Sequence, residues 1–157
     1  MVKIIGIDPG LSSTGIGIVR GTKRRVTDFS FGTIRTITNA PLPDRLYQIF
    51  VKLRQIIESN KPDIMVVEDV FSLEKYPKSG ITLGKVTGAI LLAGCQMKIP
   101  VVEIPVREAK KVLTGNGKAS KVQLERAVRH FLNTNQPIKP HHASDAMALA
   151  LIGLFRS

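Results

Sequence analysis

Hydrophobic and polar positions change period along this chain. Val2 to Asp8 is an apolar run that ends in an acid, and Pro9-Gly10 then turns the chain. Ser13 to Arg20 and Arg24 to Thr36 read as two further strands. They are expected to be antiparallel because the connection at Gly21-Thr22 is short. From 43 to 59 the pattern becomes helical: Leu46, Ile49, Phe50, Leu53, Ile56 and Ile57 recur at i, i+3 and i+4 spacing. Lys61-Pro62 ends that helix. Residues 63–68 are almost continuously apolar, as in a parallel strand buried on both faces. A helix over 80–97 and a short strand over 100–104 follow. Three more helices are predicted, around 106–113, over 119–133 and over 143–155. Gly115-Asn-Gly117 separates the first two, and Pro137 to His142 reads as a linker before the last. A three-strand meander followed by strands alternating with helices predicts an α/β fold, a mixed sheet flanked by helices around one core. At 157 residues the chain is expected to form a single domain over 1–157.

The acids stand out against this pattern. Asp8 closes the first apolar strand and Glu68 closes the run Asp63-Ile-Met-Val-Val-Glu68. A carboxylate at the end of a buried strand is costly unless a cation or donor meets it. Asp145 lies near the start of the last helix, three residues after His142. Three acids and a histidine converging on one point would suit divalent metal ions. Taken alone, Asp8 before Pro-Gly could equally be a turn-forming Asx residue. Asp69 follows Glu68, and strand alternation puts it on the opposite face, in a structural or supporting role.

Charge gives this site a partner. Lys and Arg number 23 against 12 Asp and Glu, a formal net charge of +11. Such an excess favours polyanions through counterion release. A membrane role is not expected. The chain enters a strand directly, without an apolar leader and cleavage site. Its longest apolar stretch, Ala146 to Phe155, falls short of the roughly 20 residues that span a bilayer. The expected location is cytoplasmic. Cys95, the single cysteine, rules out an internal disulfide and reads as core packing.

Four segments, in order and with similar spacing, resemble the RuvC-type Holliday junction resolvases. They are Ile7-Asp-Pro-Gly10, Val67-Glu-Asp-Val-Phe71, Leu83-Gly-Lys-Val-Thr-Gly88 and Ala143-Ser-Asp-Ala146. The resemblance covers nearly the whole chain. It implies a ribonuclease H-like fold with a five-stranded mixed sheet. It also implies a homodimer that cuts two opposed strands of a four-way DNA junction with Mg2+, two ions per active site, with Mn2+ accepted. Asp8 resembles the carboxylate shared between the ions, and Glu68 and Asp145 resemble the acids that complete the set. The family often has an aspartate where this chain has His142. That departure leaves the site one charge less negative and favours Mn2+. His142 would ligate metal, act as general base or position water; otherwise it caps the helix or faces solvent. His141 reads as a linker residue. The RuvA–RuvB branch-migration complex comes with the resemblance as a candidate partner.

Two basic segments read as DNA contacts. Phe71, Lys75, Tyr76 and Lys78 follow Glu68, and aromatics among lysines suit base stacking. Phe71 could instead close the core. Lys110, Lys111, Lys118 and Lys121 surround the second glycine turn. The resemblance gives Lys110 and Lys121 roles in catalysis or phosphate binding. Lys111 and Lys118 would be backbone contacts or plain solvated charge. The small residues Gly84, Gly88, Ala89, Ala93 and Gly94 on helix 80–97 permit close packing, within the monomer or across a dimer axis. Other classes remain to be separated. The Asp8–Thr14 run also resembles the first phosphate loop of actin-like ATPases, but the chain has no room for their second domain. A non-catalytic junction binder and a nuclease for branched DNA or RNA–DNA hybrids are the nearer alternatives.

Overall fold

A computed structural model describes residues 1–69 and 77–157. Five strands, β1 (Val2–Asp8), β2 (Ser13–Thr22), β3 (Arg25–Arg35), β4 (Ile64–Glu68) and β5 (Val101–Ile104), form one sheet in the order β3-β2-β1-β4-β5. The first three are an antiparallel meander, and β4 and β5 add in parallel. The helices are α1 (Leu42–Asn60), α2 (Pro77–Gln96), α3 (Val106–Thr114), α4 (Lys121–Leu132) and α5 (His141–Arg156). Helices α1 and α2 cover one face of the sheet. Helix α5 covers the other and is itself capped by α3 and α4. Every element expected from the pattern is present, with ends shifted by a few residues. This is the mixed, helix-flanked sheet of the ribonuclease H-like fold.

Alternation along the strands divides the core in two. Ile5, Ile7, Ile16, Ile18, Met65 and Val67 pack against Ile49, Leu53, Val86 and Ile90 of α1 and α2. Ile4, Val19 and Val66 pack against Met147, Leu151 and Leu154 of α5. Helix α5 is buried almost all round, which explains why its sequence is apolar without a clear polar face.

Glycines on the strands seat α5. Gly6 and Gly17 are register partners, as are Gly15 and Asp8. A Cβ on Gly6 would strike the carbonyl oxygen of Ala146 and sit 2.7 Å from Ala150 N. One on Gly15 would strike the His142 carbonyl, and one on Gly17 would lie 2.7 Å from Met147 N. The helix backbone therefore rests on bare strand. Nothing in the periodicity of either segment had pointed to this contact.

Two expectations are corrected. Cys95 is exposed, not core. The buried stripe of α2 runs through Val86, Ile90 and Ala93, and Cys95 lies two residues off it. His141 and His142 are not linker residues: α5 begins at His141, after Pro140 at the N-cap. The glycines of α2 also divide. A Cβ on Gly94 would crowd Val101 at 2.7 Å, whereas Gly84 and Gly88 face open space among the described residues.

Gly6→Ala is expected to destabilise the protein by about 3 kcal/mol, because helix backbone cannot yield as a side chain can. Gly84→Ala should instead be neutral or stabilising by up to about 1 kcal/mol, the ordinary gain at an exposed helix interior. Urea unfolding of both variants checks the contrast. Equal effects would mean that α5 does not lie against Gly6.

Candidate active site

Strand alternation and register bring the two strand-end acids together. Gly6 and Asp8 face α5, as Ile4 does. On β4, Glu68 shares the face of Val66. The parallel register sets Ile7 beside Val67, so Asp8 and Glu68 end adjoining strands. Helix α5 starts above this point. His142 and Asp145, three residues apart, fall on one face of its first turns. The glycine seat pulls that turn onto the sheet at Gly15, opposite Asp8.

The contacts follow from this placement. His142 Nδ1 lies 2.8 Å from Asp8 Oδ2. The Asp8 side chain is 7% exposed and that of His142 48%. The bond to Asp8 raises the pKa of His142 above its ordinary value. Burial opposes this shift, Asp8 and Asp145 add charge in its favour, and Lys121 opposes it. Burial first, then the adjoining Asp8 and more distantly Asp145, push Glu68 up to about 9, against Lys110. Burial and then Asp8 push Asp145 up to about 6, against Lys110, Lys121 and His142. Asp8 thus acts on all three other groups, and two lysines act on the cluster from outside. With these groups alone, Glu68 carries a proton at neutral pH. Among the described residues, no three His, Cys, Asp or Glu side chains form a ready-made ion site.

Of the expected DNA contacts, Lys110 stands on α3 and Lys121 opens α4, both within electrostatic reach of the acids. A capping box fixes the start of α4. Gln123 N donates to Ser120 Oγ at 3.1 Å, and Ser120 N donates to Gln123 Oε1 at 2.8 Å. The pattern Ser120-Lys-Val-Gln123 is the sequence signature of such a box. Lys111 and Lys118 are exposed and are not among the groups that act on the acids. Lys78, on the first turn of α2, lines a cleft beside His142. Phe71, Lys75 and Tyr76 lie outside the described residues. No helix among the described residues is long and apolar enough to cross a membrane.

Comparison with known proteins identifies the family. Residues 4–153 match the family model for crossover junction endodeoxyribonuclease RuvC. The enzyme of that name from Endomicrobium trichonymphae is 40% identical over 149 residues, 94% of this chain and 78% of that protein. That of Magnetococcus marinus is 38% identical over 154 residues, 98% of this chain and 84% of the relative. Among solved structures, Thermus thermophilus RuvC in complex with Holliday junction substrate matches with a TM-score of 0.87. It is 26% identical and covers 99% of this chain and 94% of its own. Fold and family together define a nuclease of the ribonuclease H-like class. Within that class, the chain belongs to the RuvC family of crossover junction endodeoxyribonucleases.

The raised acids set a pH dependence of stability. Folded Glu68 keeps a proton that the unfolded chain releases above 4.5, so from there to about 9 stability falls as pH rises. Asp145 acts in the same direction between 3.8 and about 6, and His142 does so above 6.5. In EDTA, the melting temperature is expected to drop by about 5 °C or more from pH 5 to pH 9. Glu68→Gln, neutral throughout, should remove most of the drop above pH 6. Parallel curves for the two proteins above pH 6 would place Glu68 outside the cluster.

Proposed function

We propose that this protein resolves four-way (Holliday) DNA junctions by paired, symmetric strand cuts, as a metal-dependent endonuclease of recombination and repair. One observation carries the reading. Asp8, Glu68 and Asp145 crowd one end of the sheet, and Lys110 and Lys121 flank them. The donor set fits Mg2+ or Mn2+: carboxylate oxygens suit hard divalent cations, and the burial and neighbouring negative charge that raise Glu68 and Asp145 are what such cations relieve. Asp8, Glu68 and Asp145 would hold the ions, two per site as the family resemblance implies. His142 would join them as a ligand or serve the attacking water. When bound, divalent cations acidify that water and stabilise the leaving oxygen.

The chain's own residues do the rest. His142 is held by Asp8 through Nδ1, while Nε2 has no hydrogen-bond partner among the described residues. From there it can take a proton from water or hand one on. Lys121 and Lys110 would bind the scissile phosphate and offset its charge as the bond breaks. Lys78, Lys111 and Lys118, with Phe71, Lys75 and Tyr76, would hold the junction arms and crossover. The single domain over 1–157 would work as a homodimer in the cytoplasm. Tyr47, 67% exposed, and Leu92, 60% exposed, line an apolar groove between α1 and α2 beside the open glycine face of α2. A two-fold pair across that face would present two sites to opposed strands. The RuvA–RuvB complex is the candidate motor partner.

Purified protein with Mg2+ or Mn2+ should place paired nicks in a synthetic four-way junction. Asp8→Asn should lose at least about 100-fold in cutting rate and keep junction affinity within about 3-fold of the unaltered protein. Equal losses of binding and cutting would remove Asp8 from the chemistry. Tight binding without nicks in either metal would make the protein a junction binder. Preference for flaps or hybrids over junctions would make it a broader nuclease.

A further inference from the structure

A buried arginine stands behind the turn that follows Asp8. Arg45, in the first turn of α1, is 9% exposed. Buried guanidinium groups are normally paired with a carboxylate, yet among the described residues Arg45 meets only neutral hydroxyls. Its Nε donates to Thr36 Oγ1 at 2.9 Å, and its Nη2 donates to Ser12 Oγ at 3.2 Å. Thr36 passes the restraint on. Its Oγ1 donates to the Leu11 carbonyl at 2.7 Å, and its N–H donates to the Ser12 carbonyl at 3.3 Å. Thr14 Oγ1 donates to the Gly10 carbonyl at 2.7 Å on the other side of the turn. An apolar residue at position 45 would pack at lower desolvation cost, so the charge serves the turn.

The hydrogen bonding of Ser12 then has one free end. Its oxygen accepts from Arg45, and its own hydrogen meets no acceptor among the described residues. A hydroxyl polarised by a cation is a stronger donor. Ser12 is exposed and lines a cleft of about 470 Å³, whose walls include Pro9, Leu11, Lys78, Thr82 and His142. The cleft adjoins the acid cluster through His142. It holds a poised hydroxyl on one wall and a lysine on the other, which is the chemistry of a phosphodiester site.

We propose that Ser12 and Lys78 bind a backbone phosphate flanking the scissile one, and that Arg45 is a positioning residue that aims Ser12 at it. This rests on the junction-cutting reading. It adds a strand-binding step beside the acid cluster, with the charge of Arg45 lying behind the phosphate.

The test compares unaltered protein, Ser12→Ala, Arg45→Met and the double variant on four-way junctions. The junctions carry one neutral methylphosphonate at successive positions near the cut. Ser12→Ala is expected to lose about 10-fold in junction affinity. On the unaltered protein, one methylphosphonate position should cause a similar loss. Combining that substrate with Ser12→Ala should add nothing, although the same variant remains sensitive at other positions. Arg45→Met should add nothing to Ser12→Ala. Should Arg45→Met fail to fold, the exposed Ser12→Ala carries the test alone. Ser12→Ala with full affinity, or penalties that multiply at every position, would overturn the proposal while leaving junction cutting intact. An unaltered protein that neither binds nor cuts junctions would overturn both readings.

Discussion

Helix α5 rests its backbone on glycine, and the active site depends on that contact. Gly6, Gly15 and Gly17 remove the side chains that would hold the helix off β1 and β2. The helix answers with small residues of its own: Ala143, Ala146 and Ala150 are fully buried, and a Cβ on Gly153 would reach Val66 at 2.7 Å. Small residues meeting small residues bury little area each, so the seat alone binds weakly. The hold comes from the core shared with α3 and α4, where Leu149 and Ile152 are fully buried. The core thus presses α5 down and the glycines let it arrive. His142 and Asp145 take their places from that pressure, as does the reach of His142 to Asp8.

The site so formed is electrostatically unfavourable by construction. Asp8 and Glu68 face α5 because strand alternation sets them on the side of Gly6 and Val66. Their neighbours relieve part of the cost. Lys110 arrives from α3 and Lys121 from α4, the same two helices that press on α5. One packing arrangement therefore positions the acids and supplies the nearest cations. The lysines stay outside the cluster, close enough to lower the raised acids and too few to neutralise them. What remains is an affinity for positive charge at the centre of a chain whose net charge is +11. Such a chain draws in a polyanion from a distance and holds cations only where its acids meet.

The sequence disclosed what has a period and concealed what depends on a partner. Strand and helix order was readable because β4 is continuously apolar and α1 repeats at helical spacing. The acids were readable because Asp8 and Glu68 close apolar runs, where an acid has no cheap reason to be. The glycine seat was not, since Gly15 and Gly17 look like ordinary weak points of a strand until a helix is laid across them. Cys95 misled because α2 is apolar overall, and composition does not say which stripe faces the sheet. The start of α5 was missed because Pro137 and Pro140 suggest a linker. Pro140 is in fact the N-cap, and the two histidines are already helical. Nothing in the helical spacing of α1 marks Arg45 as buried, and only the fold brings it to its partners on the turn.

The identity of residue 142 then decides how the cluster balances. An aspartate there would be a fourth carboxylate and would push Glu68 and Asp145 further up, as like charges do. The imidazole acts in the opposite direction, lowering Asp145 and taking an oxygen of Asp8. It lets three carboxylates share a buried corner with fewer protons, and it occupies one lone pair of Asp8 Oδ2. Under the proposed function, a cation bound by these acids would be coupled to the His142–Asp8 bond and to the protonation of Glu68, because a carboxylate must lose its proton to act as a ligand. Lys121 opposes the charging of His142 and lowers Asp145. Bringing a phosphate to Lys121 would weaken both influences at once. Substrate, proton and cation would then compete for a single balance of charge around Asp8.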